Sequence, residues 1–282
     1  MKVGHTGITW GYPGDLEQAY RDVAELGYLG FETFSKVIME WNKEKPGGYR
    51  ALVDRIGLPT VAGYCYKNWI DSDTAEKDLQ EAKAEADALR ALPGSETLVL
   101  QAGPRPRGGY GQDEFRRLAD AFNEIGRHCK EIGLRASIHP HTGTAVETRD
   151  DIDTILSLVD PELVGFAPDT GQIAKGGGDV LEVMRAHIDR ISHVHLKDWA
   201  GPQAADADGK EVDVTGYGNY QPIGHGILPM KEILDVLIEA SFDGWINVEL
   251  DGTSRAPRPP REAAAMSRRY LGEALGDRVA WR

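Results

Sequence analysis

The sequence of 282 residues predicts a single-domain (β/α)8 barrel spanning residues 1–282, and three observations predict it. Eight short β-rich runs recur along the chain, stretches of helical period separate them, and polar side chains gather where the later runs end. Eight βα units in one chain favour a closed parallel barrel, an architecture that commonly takes about 250 residues as one domain. A doubly wound open sheet is the competitor. It usually carries a glycine-rich phosphate turn after its first strand, and Trp10-Gly11-Tyr12-Pro13-Gly14 lacks that spacing.

The expected strands are Val3–Trp10, Gly30–Phe34, Pro59–Tyr66, Thr97–Ala102, Arg135–His141, Val164–Pro168, Ile191–Leu196 and Trp245–Leu250. Each is short and rich in Val, Ile, Thr or aromatic residues, as strands covered on both faces tend to be. Between them the apolar spacing changes. Leu16, Ala19, Tyr20, Val23 and Leu26 fall on one helical face, as do Phe115, Leu118, Ala119, Phe122 and Ile125, and Ile233, Leu234, Leu237 and Ile238. Thr148 precedes Asp151 by three residues, a capping-box start, and Gly27, Gly57 and Gly133 stand where helices should stop. The connection over 199–228 is long for a compact domain, and its Gly224-His225-Gly226-Ile227 is too specific for a spacer. A second loop, Ser254–Arg261, is rich in proline and arginine.

The chain is 41% hydrophobic and 27% charged, with a formal charge of −13. That acidity argues against nucleic acid and anionic membranes as partners. No apolar run approaches the roughly 20 residues of a membrane span, and the N-terminus has no secretory pattern, so a cytoplasmic protein is expected. Cys65 and Cys129 read as buried thiols.

Chemistry in a (β/α)8 barrel is built at the carboxyl ends of its strands. The fifth strand ends in His139-Pro140-His141-Thr142, and the sixth runs into Asp169-Thr170-Gly171-Gln172. The seventh reads His193-Val194-His195-Leu196-Lys197-Asp198, and the eighth ends in Glu249-Leu250-Asp251. Positions i and i+2 share a strand face, so His139 with His141, and His193 with His195, can each point inward. Imidazole and carboxylate together suit one divalent ion such as Mn²⁺, Co²⁺, Zn²⁺ or Mg²⁺. His5, His128 and His187 lack such company and read as structural or surface residues.

These strand ends carry a resemblance. The stretches IHPHTGTAVETRDDID, VGFAPDTGQIAKGGGD, DRISHVHLKDW and GWINVELD resemble the xylose-isomerase-like barrels, a superfamily of sugar isomerases, epimerases and lyases. Within it the chain looks most like the inosose (2-keto-myo-inositol) dehydratases. The resemblance is strong from about Arg135 to Leu271 and elsewhere rests on rhythm and a few polar positions. It implies His139, Asp169, His195 and Glu249 as ligands of one metal ion, Mn²⁺ first among the candidates. Two positions depart from the relatives. The epimerase branch has glutamate at His139, and the usual D-T-G-H of the sixth strand ends here in Gln172, which cannot carry a proton near neutral pH.

The mechanism expected is proton abstraction beside a metal-polarised ketone, giving a metal-bound enediolate that then expels a β-hydroxyl. Replacing one of two opposed glutamates by His139 moves the expectation from epimerising a sugar to dehydrating a cyclic keto-polyol. Glu249 or Glu32 is expected as the base and His141 or His225 as the acid. Trp10, Tyr64, Gln172, Lys197 and Trp199 are expected to contact substrate, with a salt bridge from Lys197 to Asp198 or Glu249 as its other role. Arg105 and Arg107 show no phosphate-nest pattern, so an uncharged polyol or keto-sugar is expected. A keto-sugar epimerase or isomerase, a 3-keto-glycoside lyase and a non-catalytic sugar-binding barrel are the alternatives. Homo-oligomerisation is left open.

Overall fold

The computed structural model describes residues 1–12, 14–202, 220–251 and 258–282. Ten strands follow in chain order: β1 Lys2–Thr6, β2 Gly30–Phe34, β3 Thr60–Tyr66, β4 Thr97–Gln101, β5 Arg135–His139, β6 Val164–Phe166, β7 His193–Leu196, β8 Asp198–Trp199, β9 Tyr220–Gln221 and β10 Trp245–Val248. Eight form one parallel sheet in the order β6-β5-β4-β3-β2-β1-β10-β7, and β8 and β9 make a small antiparallel ribbon. The seam between β6 and β7 is closed by Ser192 N–H donating to Phe166 O and His195 N–H donating to Pro168 O. The eight expected runs are the eight barrel strands, trimmed at their ends. The largest trim is in the first run, where Gly7–Trp10 winds into a 3₁₀ turn instead of continuing the strand.

The connecting helices used below are α1 Leu16–Glu25, α2 Ser35–Glu44, α3 Gly48–Ile56, α4 Ala75–Arg90, α5 Gln112–Ile132, α6 Arg149–Leu158 and α7 Thr170–Lys175. Local sequence sets several ends. Thr148 Oγ1 accepts from Asp151 N–H and the Asp151 carboxylate returns to Thr148 N–H, so α6 starts in the expected capping box. Gly57 and Gly133 close α3 and α5 at φ +73° and +80°, where a side chain would be strained. Cys65 and Cys129 are buried and unpaired. Among the described residues no helix is long and apolar enough to cross a membrane.

Among the described residues the core has three parts, the third of them beside the long connection at Tyr220, Leu250 and Ala263. A large apolar shell packs the outward strand faces against the helices, while a small plug of Ala62, Val99 and Ala167 sits separately, with Tyr64 above it. Small residues in the plug leave room for polar side chains at the mouth. Gly4 serves the same end, since a Cβ there would stand 2.1 Å from Asn247 Oδ1. Register also matters. Opposite Phe31 and Glu32, β3 carries one extra residue, an irregularity of the kind that re-aims side chains beside active sites.

The long connection after β7 is pinned at its base, although 203–219 lie outside the described residues, as do 252–257, which take in 254–257 of the second loop. The Asp198 carboxylate accepts four backbone N–H groups, from Trp199, Gly224, Gly226 and Leu228. That accounts for the Gly224-His225-Gly226 motif, because a Cβ on Gly226 would lie 2.2 Å from Asp198 Oδ1 and 2.5 Å from Trp199 O. His225 is exposed. Gly226→Ala is expected to cost about 1–3 kcal/mol through overpacking, read as a lower urea midpoint. His225→Ala is expected to shift stability by less than about 0.5 kcal/mol in the same measurement.

Candidate metal centre and active site

Glu32 is the first polar group met inside the mouth. Its carboxylate is buried and accepts from His195 Nε2 at 2.7 Å, His193 Nε2 at 2.9 Å and Asn247 Nδ2 at 2.6 Å. Burial alone would raise its pKa, but the positive imidazole of His195 and the bonds from both histidines outweigh that and hold it down to about 2. Glu32 therefore stays ionised and occupied. With Nε2–H of His195 committed to Glu32, the ring's other nitrogen, Nδ1, faces Glu249 Oε2 at 2.6 Å. Sequence reasoning anticipated Glu32 as a base; the structure gives it two imidazoles to orient. Asn247, not singled out from the sequence, shares a strand face with Glu249 at i+2, which is the signal that could have found it.

Beside this clasp lie His139, Asp169 and His195. One ligand atom from each falls within a mutual span of 4.8 Å, and all three side chains are buried. Among the described residues, neither ring nitrogen of His139 has a hydrogen-bond partner. Its Nε2 stands 3.9 Å from Asp169 Oδ2, too far for a hydrogen bond. Burial, and then the charge on His195, push the His139 pKa well down, so the imidazole is neutral and offers a lone pair on one ring nitrogen. An unpartnered buried imidazole next to a carboxylate fits a divalent cation chemically. Glu32, His193 and His195 form a second group of the same span, but their atoms are already hydrogen-bonded to one another.

Glu249, the fourth expected ligand, is shared between His195 Nδ1 and Lys197 Nζ, the latter at 2.7 Å. Lys197 is fully buried and also lies 2.9 Å from Asp169 Oδ2 and 2.8 Å from Asp251 Oδ2. Three carboxylates around one ammonium outweigh the penalty of burial and hold its pKa well up. Its three donors face three acids, so Lys197 gathers Asp169, Glu249 and Asp251 at one point. The expected pairing with Glu249 is present. Asp198 is occupied instead by the backbone clamp.

A cavity of about 720 Å³ opens above, lined by Glu32, Tyr64, His141, Glu249 and Asp251 among others. Tyr64 bridges cavity and metal corner. Its ring stacks on His195 at 5.9 Å, meets His139 edge-on at 5.1 Å, and its hydroxyl donates to Gln101. His141 Nδ1–H donates to Thr142 O at 2.8 Å, which leaves the lone pair on Nε2. Burial and then the charge of Lys197 push its pKa down to about 4, so the resting imidazole is neutral near pH 7.

Other expected contacts lie elsewhere. Gln172, in the first turn of α7, accepts from the Thr142 hydroxyl at 2.8 Å and ties the loop after β5 to α7. Trp10 donates Nε1–H to Asp22, and Trp199 packs against the satellite core of Tyr220, Leu250 and Ala263. Neither lines the large cavity, and His225 is exposed outside it. The 3₁₀ turn after β1 and the short β8 ribbon turn those two indoles aside. Arg105 pairs with Asp151 at 2.5 Å, which fits the expectation of an uncharged ligand. His5, His128 and His187 bond to Thr6 O, Asp87 and Asp153, away from this site.

A profile described as xylose isomerase-like TIM barrel matches residues 20–273. The chain belongs to that family. Among proteins similar to this family member, the inosose dehydratase of Clostridium tetani is 32% identical, with 97% of each chain covered. Among solved structures, the IOLI protein with a bound zinc atom superposes with a TM-score of 0.76 at 16% identity, covering 98% of this chain and 99% of that one. The 3-keto-D-glucoside 4-epimerase of E. coli gives 0.72 at 18%, covering 95% and 99%. At such identities the two structures speak for the fold alone. The family member described here is an enzyme with a residue group able to hold a divalent cation.

Glu32→Gln removes the charge that holds the two imidazoles. The affinity of the metal-free protein for Mn²⁺, read by calorimetric titration, is expected to fall about 10–100-fold. Unchanged affinity would show that the clasp does not orient His195.

Proposed function

We propose that this protein is a divalent-metal-dependent carbon–oxygen lyase that dehydrates a cyclic keto-polyol. An inosose (2-keto-myo-inositol) is the first candidate, in keeping with the named activity of its relatives. The observation that carries this reading is the unequal pair of groups at the cavity floor. Glu249 is held by Lys197 and His195, whereas His141 is a neutral imidazole with its lone pair on Nε2. One such group suits elimination, while proton exchange on both faces of a carbon needs two that match.

His139, Asp169 and His195, with Glu249 adjacent, would hold a divalent ion, which would supply Lewis acidity that makes the C–H beside a ketone more acidic. Mn²⁺ is the first choice, with Co²⁺, Mg²⁺ or Zn²⁺ as alternatives. His141 Nε2 takes that proton and becomes an imidazolium. The same imidazolium returns it to the departing β-hydroxyl, so the C–O electron pair leaves with the oxygen as water and a carbon–carbon double bond remains. Lys197 keeps Asp169, Glu249 and Asp251 gathered throughout. Tyr64 roofs His195, and burial above all keeps its phenol protonated.

Incubation of the Mn²⁺-loaded protein with an inosose in D₂O, followed by NMR, is expected to give the dehydrated enol or its diketone tautomer. An inverted epimer as sole product would overturn the lyase reading. His141→Ala is expected to lower kcat by about 10²–10⁴-fold. Since His141 must be neutral to act and its pKa is about 4, kcat/KM should stay level as pH falls from 7 to about 5. It should drop only as pH passes through about 4, where an ordinary histidine would already have lost activity near 6.5.

A further inference from the structure

A second cavity of about 280 Å³ adjoins the first and is walled by Trp10, Val37, Glu40, Trp41 and Glu44, none of which lines the larger one. Ile8, Thr33, Tyr12 and Phe34 line both, so the two share a wall. Val37, Trp41 and Glu44 follow i, i+4, i+7 on α2 and present one face to this annex. Its chemistry is distinctive. Trp41 and Trp10 supply broad apolar faces, while Glu40 and Glu44 have no ion-pair or hydrogen-bond partner among the described residues. Two unpaired acids at i and i+4 are unfavourable for a helix on their own account. A row of rings leads from the annex to the metal corner: Tyr12 meets Phe34 at 4.8 Å, Phe34 meets Tyr64 at 5.4 Å, and Tyr64 stacks on His195 at 5.9 Å.

We propose that the annex binds a second, uncharged sugar ring, O-linked to the cyclic ketone whose reacting carbons lie beside His139, Asp169 and His195. A sugar places its C–H face on an aromatic ring and donates its hydroxyls to carboxylates, and this wall offers both. Glu40 and Glu44 on the rim are balanced by Lys36 over the Tyr12 ring at 4.8 Å and Lys45 over the Trp41 ring at 5.5 Å, so no net charge selects an ionic substituent, which agrees with the engagement of Arg105 by Asp151. The inference rests on the reading of the metal corner as the place where the polyol ring binds.

Calorimetric titration of the Mn²⁺-loaded full chain with myo-inositol and with O-galactosyl-myo-inositol, both unreactive, tests it. The galactosyl compound is expected to bind at least about tenfold tighter, since tenfold corresponds to about 1.4 kcal/mol, within the reach of one stacked ring with its hydrogen bonds. Trp41→Ala and the double variant Glu40→Ala/Glu44→Ala are expected to bring the affinity ratio of the two compounds close to one. The double variant alters exposed positions and carries the test should Trp41→Ala fail to fold. Equal affinity of the native protein for both compounds, or a ratio unmoved in the double variant, overturns the annex alone. Failure of both compounds to bind overturns the annex together with the polyol reading of the metal corner.

Discussion

Closure of the barrel between β6 and β7 is the constraint on which the mouth depends. Those two strands meet through His195 N–H on Pro168 O and Ser192 N–H on Phe166 O, and the bridge pairs Asp169 with His195. Two groups on different strands are thereby held side by side. Everything else at the site is arranged about this seam. His139 approaches from β5, Glu32 crosses from β2, and Lys197 continues β7 by one more inward position.

The site concentrates buried charge. Glu32, Asp169, Glu249 and Asp251 are acids at or near full burial, and Lys197 answers three of them while His193, His195 and Asn247 answer the fourth. Such clusters are costly to bury and contribute little to stability compared with apolar packing of the same volume. Their value lies in orientation. Glu32 commits one nitrogen of His195 and so leaves the other to face Glu249, and Lys197 brings three carboxylates to one point. His139 is the exception, a buried imidazole without a hydrogen-bond partner among the described residues. It is the group through which a cation would complete the network.

The large cavity is asymmetric for reasons of backbone. On one side the loop after β5 carries His141 and is tied to α7 through Thr142 and Gln172. On the other, β10 and the residues that follow it carry Asn247, Glu249 and Asp251 at alternate positions. Away from both, the 3₁₀ turn and α2 open the aromatic annex. The Asp198 clamp holds the base of the long connection, so the glycine motif there answers to a backbone requirement and not to catalysis.

The sequence by itself determined the barrel and the location of its chemistry. Strand and helix periods are local; they put polar groups at the strand ends and let His139 with His141, and His193 with His195, share a face, while the resemblance singled out His139, Asp169, His195 and Glu249. Only the tertiary structure decided what those residues touch. The bond from Glu32 to His193 spans 161 positions and depends on an extra residue in β3 that no periodicity announces. Lys197 reaches three acids because β7, β10 and the loop after β6 converge, and Trp10, Trp199 and His225 leave the cavity because short turns rotate them away. Contacts set by register and turn geometry are not written in residue type or spacing. The strand ends stated which groups the mouth would hold, and closure at the seam stated which of them would meet.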